Sequence, residues 1–161
     1  MTGCVPLTLE DVPALLALEK SCFGAEGFSA PQLRQMLTAR YGLALGLWEE
    51  ELLVGAVLLE VLVPESELHS LAVQPAKRSR GLGSVLLKSA ITEARKLGAN
   101  EMFLEVRSSN QAAIALYERA GFTPLSVRRG YYSQPREDAL VMHMRLSSPS
   151  PGPVGAEISA S

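Results

Sequence analysis

The segment Val73-Gln-Pro-Ala-Lys-Arg-Ser-Arg-Gly-Leu-Gly-Ser84 is where this sequence offers most to a ligand. It joins an apolar stretch to a long helical pattern. Gly81 and Gly83 let the backbone come close to a bound group. The first N–H groups of the following helix have no partner within it, and the positive end of its dipole sits there. Lys77, Arg78 and Arg80 add charge. Together these suit an anion of diphosphate size, although a plain basic turn before a helix would read the same way. Two phosphate loops are excluded. No Gly-Lys-Ser/Thr is present, and Leu86 stands where the dinucleotide fingerprint needs its third glycine.

Glu105, inside Met102-Phe-Leu-Glu-Val106, is the second candidate. The segment reads as a central strand covered on both faces, where an unpaired carboxylate costs several kcal/mol. Two readings follow: an ion pair, with Arg107 as the nearest partner, or a general base in a cleft beside the strand. Tyr117 shares the apolar face of a helix with Ala113 and Ile114, which suits a core tyrosine. Asn110 suits a helix N-cap. His69 and His143 fall in separate strand patterns. No Ser/His/Asp, Cys/His or metal-ligand spacing appears.

The elements that must position these residues are legible from periodicity and punctuation. Thr8-Leu-Glu-Asp11 and Ser29-Ala-Pro-Gln32 are helix starts, leading helices to about Lys20 and Arg40. The segment between them, Ser21–Phe28, is a loop carrying two glycines and two phenylalanines. Tyr41–Trp48 and Leu52–Val63 form a hairpin about Glu49-Glu50-Glu51, and Glu67–Val73 is a third strand. A helix over Gly81–Leu97 stops at Gly98. A strand over Asn100–Val106 follows, then a helix over Asn110–Ala120 stopped by Gly121. Phe122–Arg128 and Asp138–Met144 are the last strands, with a polar, aromatic loop between them. This order predicts an α/β domain over residues 1–146 with a mixed sheet. The Ser/Pro/Gly-rich segment 147–161 lacks core-forming residues and is expected to be disordered.

Bulk properties narrow the function. A net charge of −2 argues against a chain that lives on nucleic acid phosphates. Cys4 and Cys22 lie in no pairing motif and suit reduced thiols. The N-terminus has no signal-peptide pattern, and the longest apolar run, interrupted by Glu60, is too short to span a bilayer. A soluble, cytoplasmic protein is expected.

Taken in order, four segments are far more specific than any one: Leu71-Ala-Val73, Arg78-Ser-Arg-Gly-Leu-Gly-Ser84, Leu104-Glu-Val-Arg-Ser-Ser-Asn110 and Ala115-Leu-Tyr-Glu-Arg-Ala-Gly-Phe122. This series resembles the GNAT superfamily of acetyl-CoA-dependent N-acetyltransferases. Arg128-Arg-Gly-Tyr-Tyr132 with Glu137-Asp-Ala-Leu-Val-Met142 resembles its RimI branch, which acetylates protein N-termini, in bacteria that of a ribosomal protein whose first residue is alanine. The likeness runs from about Glu67 to Leu146; before that only the order of elements matches.

The resemblance implies a GNAT-like mixed α/β fold, acetyl-CoA as acetyl donor, no metal, and a peptide or protein N-terminus as acceptor. It implies that Leu71, Ala72 and Val73 lie on a strand that splays from its neighbour at a bulge and pairs with the pantetheine arm. Arg78, Ser79, Arg80, Gly81, Leu82, Gly83 and Ser84 would cradle the pyrophosphate, with Asn110 also touching CoA. Glu105 matches the family's general base and Tyr117 its general acid; Glu67, Tyr131 and Tyr132 would face the acceptor. Ser79 departs from the second basic residue usual in that loop, and Gly27-Phe28-Ser29 from the branch's usual aromatic after proline. A GNAT enzyme acting on a small amine, or a non-catalytic CoA-binding module, are the alternatives.

Overall fold

The computed structural model describes residues 3–146; the segment 147–161 lies outside the described residues. Seven strands form one mixed sheet in the order β1-β2-β3-β4-β5-β7-β6. The strands are β1 (Val5–Pro6), β2 (Gly42–Glu49), β3 (Leu52–Leu62), β4 (Glu65–Val73), β5 (Glu101–Arg107), β6 (Thr123–Ser133) and β7 (Arg136–Arg145). The helices are α1 (Val12–Phe23), α2 (Ala30–Thr38), α3 (Leu82–Lys96) and α4 (Gln111–Ala120). Only β4 and β5 run parallel; the other neighbours are antiparallel.

The strand period divides the core in two. On β3, Val57, Leu59 and Val61 face α3 and α4, while Ala56 and Leu58 face α1 and α2. Leu86 of α3 is fully buried and fills the notch above Gly55, where a Cβ would stand 2.8 Å from its Cδ1. Gly83 brings α3 against α4; a Cβ there would stand 3.2 Å from Leu116 Cδ2.

The expected helices and strands are present, with three differences. The first helix begins as a short 3-10 turn, Leu9–Asp11, in which the Asp11 carboxylate accepts the Thr8 N–H at 2.8 Å. The two-residue β1 carries no periodic signal. The expected loop 129–137 is instead mostly strand: β6 and β7 extend as a hairpin past the rest of the sheet, so Tyr131 and Tyr132 lie on β6. No helix among the described residues is long and apolar enough to cross a membrane.

Leu86→Ala should lower the unfolding free energy by about 2–5 kcal/mol, the usual cost of emptying a fully buried leucine site. Chemical denaturation reads it; a loss under about 1 kcal/mol would show that α3 does not rest on the sheet through this side chain.

Candidate active site

β4 and β5 pair only from Glu65↔Glu101 to Leu68↔Leu104, and then part. The next residue of β4, His69, is an extra residue in its pairing with β3: Leu59 faces Leu68, Leu58 faces Ser70, and His69 is left over. From there to Val73, β4 is held by β3 alone. The splay expected at Leu71-Ala72-Val73 is therefore present, and its edge toward β5 has no strand partner.

Glu105 is the first residue of β5 beyond the fork. It is not covered on both sides. Met102, Leu104 and Val106 are buried toward α3 and α4, whereas Glu101, Phe103, Glu105 and Arg107 are half-buried on the opposite face. Nor is Arg107 its partner. Glu105 Oε2 accepts from Arg128 Nη1 at 2.5 Å, and Oε1 accepts from the Tyr131 hydroxyl at 3.1 Å. The Arg128 guanidinium also stacks over the Tyr131 ring, 4.8 Å from its centroid. Glu67 of β4 is close enough for its charge to act on both Arg128 and Tyr131.

Arg107 ties two other elements together. It donates to Glu26, in the α1–α2 loop, and to Glu137 at 3.1 Å, to Pro135 O at 2.9 Å and to Gln134 O at 3.2 Å on the β6–β7 hairpin. Glu26 also accepts the N–H groups of Ser133 and Gln134. Burial works against the charged form of Glu26, but these N–H groups and Arg107 outweigh it and hold its proton affinity below the ordinary value. Hydrogen bonding from Ser109, with Arg107 beside it, lowers Glu137 likewise. The Tyr132 ring lies under the Arg107 guanidinium at 4.4 Å, and burial, then the nearby Tyr131, push its hydroxyl up to about 12.

Tyr117 is on the other side of the sheet. It is buried, edge-on to Phe122 at 5.8 Å between centroids. Burial first, and the proximity of Tyr132 second, raise its pKa above that of a free tyrosine. No group among the described residues hydrogen-bonds its hydroxyl. A buried hydroxyl left so costs about 1–3 kcal/mol.

The anion loop is built at the N-terminus of α3. Gly81 adopts φ +80° with open space around it, and Ser79 adopts φ +67°. Val85 N–H returns to Gly81 O, so the N–H groups of Leu82, Gly83 and Ser84 precede the first internal helix bond. Of the three cations, Lys77 and Arg80 share Glu49 at 2.9 and 3.1 Å, and Arg78 turns its Nε back to Val73 O at 3.1 Å. Asn110 caps α4, accepting the Ala113 N–H at 3.2 Å. The N–H groups of Leu82, Gly83 and Ser84 thus have no partner within α3, and the β4 edge beyond Leu68 has no strand partner on the β5 side.

Sequence reasoning missed Arg128, Glu26 and Glu19. Glu19 of α1 is buried, accepting the Ser70 hydroxyl at 2.5 Å and the Phe28 N–H at 3.1 Å; burial raises its pKa against those bonds. Its place in an apolar helical stripe gave the only signal. Sequence reasoning also missed that Glu60, Glu67 and His69 offer ligand atoms within 4.8 Å of one another, because the bulge at His69 brings them together.

Residues 12–122 match the acetyltransferase (GNAT) family, and the chain belongs to it. Its relatives narrow the branch to RimI-like N-acetyltransferases, which use acetyl-CoA. The [ribosomal protein bS18]-alanine N-acetyltransferase of Salmonella typhimurium is 38% identical over 131 residues, 80% of each chain. The Escherichia coli K12 protein of that name is 44% identical over 92 residues, 56% of this chain and 62% of its own. The crystal structure of the ribosomal-protein-S18-alanine N-acetyltransferase from Escherichia coli matches with a TM-score of 0.85 at 33% identity, covering 93% of this chain and 97% of that one.

The Arg107 network has a pH signature. Glu26 and Glu137 bind protons less tightly folded than unfolded. The stability this adds is complete above the unfolded value of about 4.3 and is lost as pH falls through the lower folded values. The thermal midpoint should therefore drop below about pH 4.3, and Arg107→Met should flatten that drop. Equally steep acid limbs in both proteins would show that Arg107 does not sustain the shifts.

Proposed function

We propose that this enzyme acetylates the N-terminal α-amine of a protein, and that the protein is ribosomal protein bS18 with its N-terminal alanine. The observation that carries the reading is the fork between β4 and β5, with a carboxylate, Glu105, at the first position beyond it; Tyr117, buried in the core on the α3 and α4 side, offers a hydroxyl without a hydrogen-bond partner among the described residues. The likeness to the Salmonella enzyme over 80% of each chain supports the acceptor.

Acetyl-CoA supplies the thioester carbonyl and the thiolate leaving group. The N–H groups of Leu82, Gly83 and Ser84, beside Ser79, Arg80 and Gly81, hold the diphosphate. The free edge of Leu71, Ala72 and Val73 orients the pantetheine arm, and a backbone N–H of this edge meets the charge that develops on the acetyl oxygen. Arg78 and Asn110 line the same path.

On the other side of the fork, Glu67, Tyr131 and Tyr132 orient the incoming chain end. An α-ammonium has a pKa of about 8, against about 10.4 for a lysine side chain, so a carboxylate acting directly or through one water can take its proton near neutrality. Glu105 is that base. CoA leaves as a thiolate that accepts a hydrogen bond from the Tyr117 hydroxyl, and the second amine proton passes to water. Because burial favours the neutral form of Tyr117, it arrives as a donor. Full proton transfer to a thiolate of pKa near 8.5 is uphill from so weak an acid, so the hydrogen bond itself is its main contribution.

Glu105→Gln and Tyr117→Phe should each lower turnover on a peptide beginning with alanine by about a hundredfold or more. Run beside a panel of small amines, the same assay separates the acceptor classes. Transfer to the small amines alone would overturn the protein-acceptor reading, and undiminished rates in both variants would remove the mechanism.

A further inference from the structure

Both oxygens of Glu105 are occupied: one by Arg128, the other by the Tyr131 hydroxyl. Each oxygen keeps a second lone pair, but an incoming ammonium meets a carboxylate whose charge is already balanced by a cation. The geometry says which partner yields. The Tyr131 hydroxyl is neutral, and an approaching ammonium does not repel it. The guanidinium is a cation on the carboxylate where a second cation must dock. Two such charges about 5 Å apart repel each other at any dielectric found near a protein surface. The Arg128 side chain is also 56% exposed, against 17% for Glu105, so it can swing into water at little cost. It springs from the irregular part of β6, where the register with β7 shifts between Arg128 and Tyr132 and Gly130 takes φ +61°. No other described cation pairs with Glu105; Arg107, two residues along the strand, is committed to Glu26 and Glu137.

We propose that Arg128 is a built-in stand-in for the acceptor's ammonium. In the free enzyme it pairs with the half-buried carboxylate, and the incoming chain end takes its place in a cation-for-cation exchange. Tyr131 holds the other oxygen throughout, so the carboxylate keeps its orientation as its partner changes. Arg128 thus acts on the reaction through Glu105, as a positioning residue, and the exchange favours acceptors that bring a positive charge to the fork. The inference rests on the reading of Glu105 as the base that receives the acceptor.

The test is the Michaelis constant for an alanine-initiated peptide, measured on the full chain with acetyl-CoA saturating. Arg128→Gln removes the competing cation and should lower that constant about three- to fivefold, the scale of an exposed ion pair. Arg128→Lys restores a cation and should return it toward the parent value. In a Glu105→Gln background there is no carboxylate to compete for, so Arg128→Gln should then have no effect on it. A constant that rises or stays put in Arg128→Gln overturns the exchange. So does an equal drop with and without Glu105. If Glu105→Gln itself leaves turnover intact, the base reading fails first, and that result is distinct from either.

Discussion

The parting of β4 from β5 is the constraint on which the rest of the molecule depends. A sheet is stable because neighbouring backbones satisfy each other's N–H and C=O groups. Here that pairing stops at Leu68 and Leu104 in the middle of the sheet, where the loss is greatest. The extra residue at His69 makes it possible. It leaves Leu68 facing α3 and α4 while Ser70 and Ala72 face α1 and α2, so β4 changes the face it presents within two residues. The twist this adds carries its far end away from β5. The unpaired groups on that edge are left free to pair with an extended chain laid beside them.

The charges around the fork follow from the same opening. β5 turns one face into the apolar core and lines the gap with the other, so Glu105 and Arg107 stand on one side, two residues apart, yet join separate networks. Arg107 secures the walls by holding the α1–α2 loop and the β6–β7 hairpin to one strand. Glu105 stays at the opening with an exposed partner. Glu19 anchors the α1–α2 loop from beneath, through Phe28 N–H, and the strand just past the bulge, through the Ser70 hydroxyl. Burying a carboxylate without a cation is costly, and these two bonds limit the cost while fixing the loop to β4.

How much of this was legible in the sequence varies with the range of the signal. α3 and α4 announce themselves through 3.6-residue apolar spacing and glycine stops at Gly98 and Gly121, all local. The β2–β3 hairpin has two apolar runs about an acidic turn. The ends of β6 and β7 carry arginines, a glycine and tyrosines with no apolar alternation, because they project beyond the core, and so they read as loop. The bulge at His69 has no local signature, since its cause is a register against β3. The partner of Glu105 was misjudged for a related reason. Arg107 is near in sequence, but Arg128 reaches Glu105 only through the β5–β7–β6 register.

The anion loop shows how a departure in sequence is absorbed by geometry. Ser79 lacks the charge usual at its position, yet a residue at φ +67° bends the loop so that the backbone leads directly into the free N–H groups of α3. The charge balance nearby does not need another cation. Lys77, Arg78 and Arg80 bring three positive charges and Glu49 removes one, leaving a local excess of two. Glu49 also fixes Lys77 and Arg80 to the end of the β2–β3 hairpin, limiting their side-chain entropy before any anion arrives. An added cation at position 79 would raise attraction for an anion at long range, but it would be a flexible charge beside fixed N–H groups. The loop therefore offers an anion the N–H groups of the helix end, with its side chains setting the background charge.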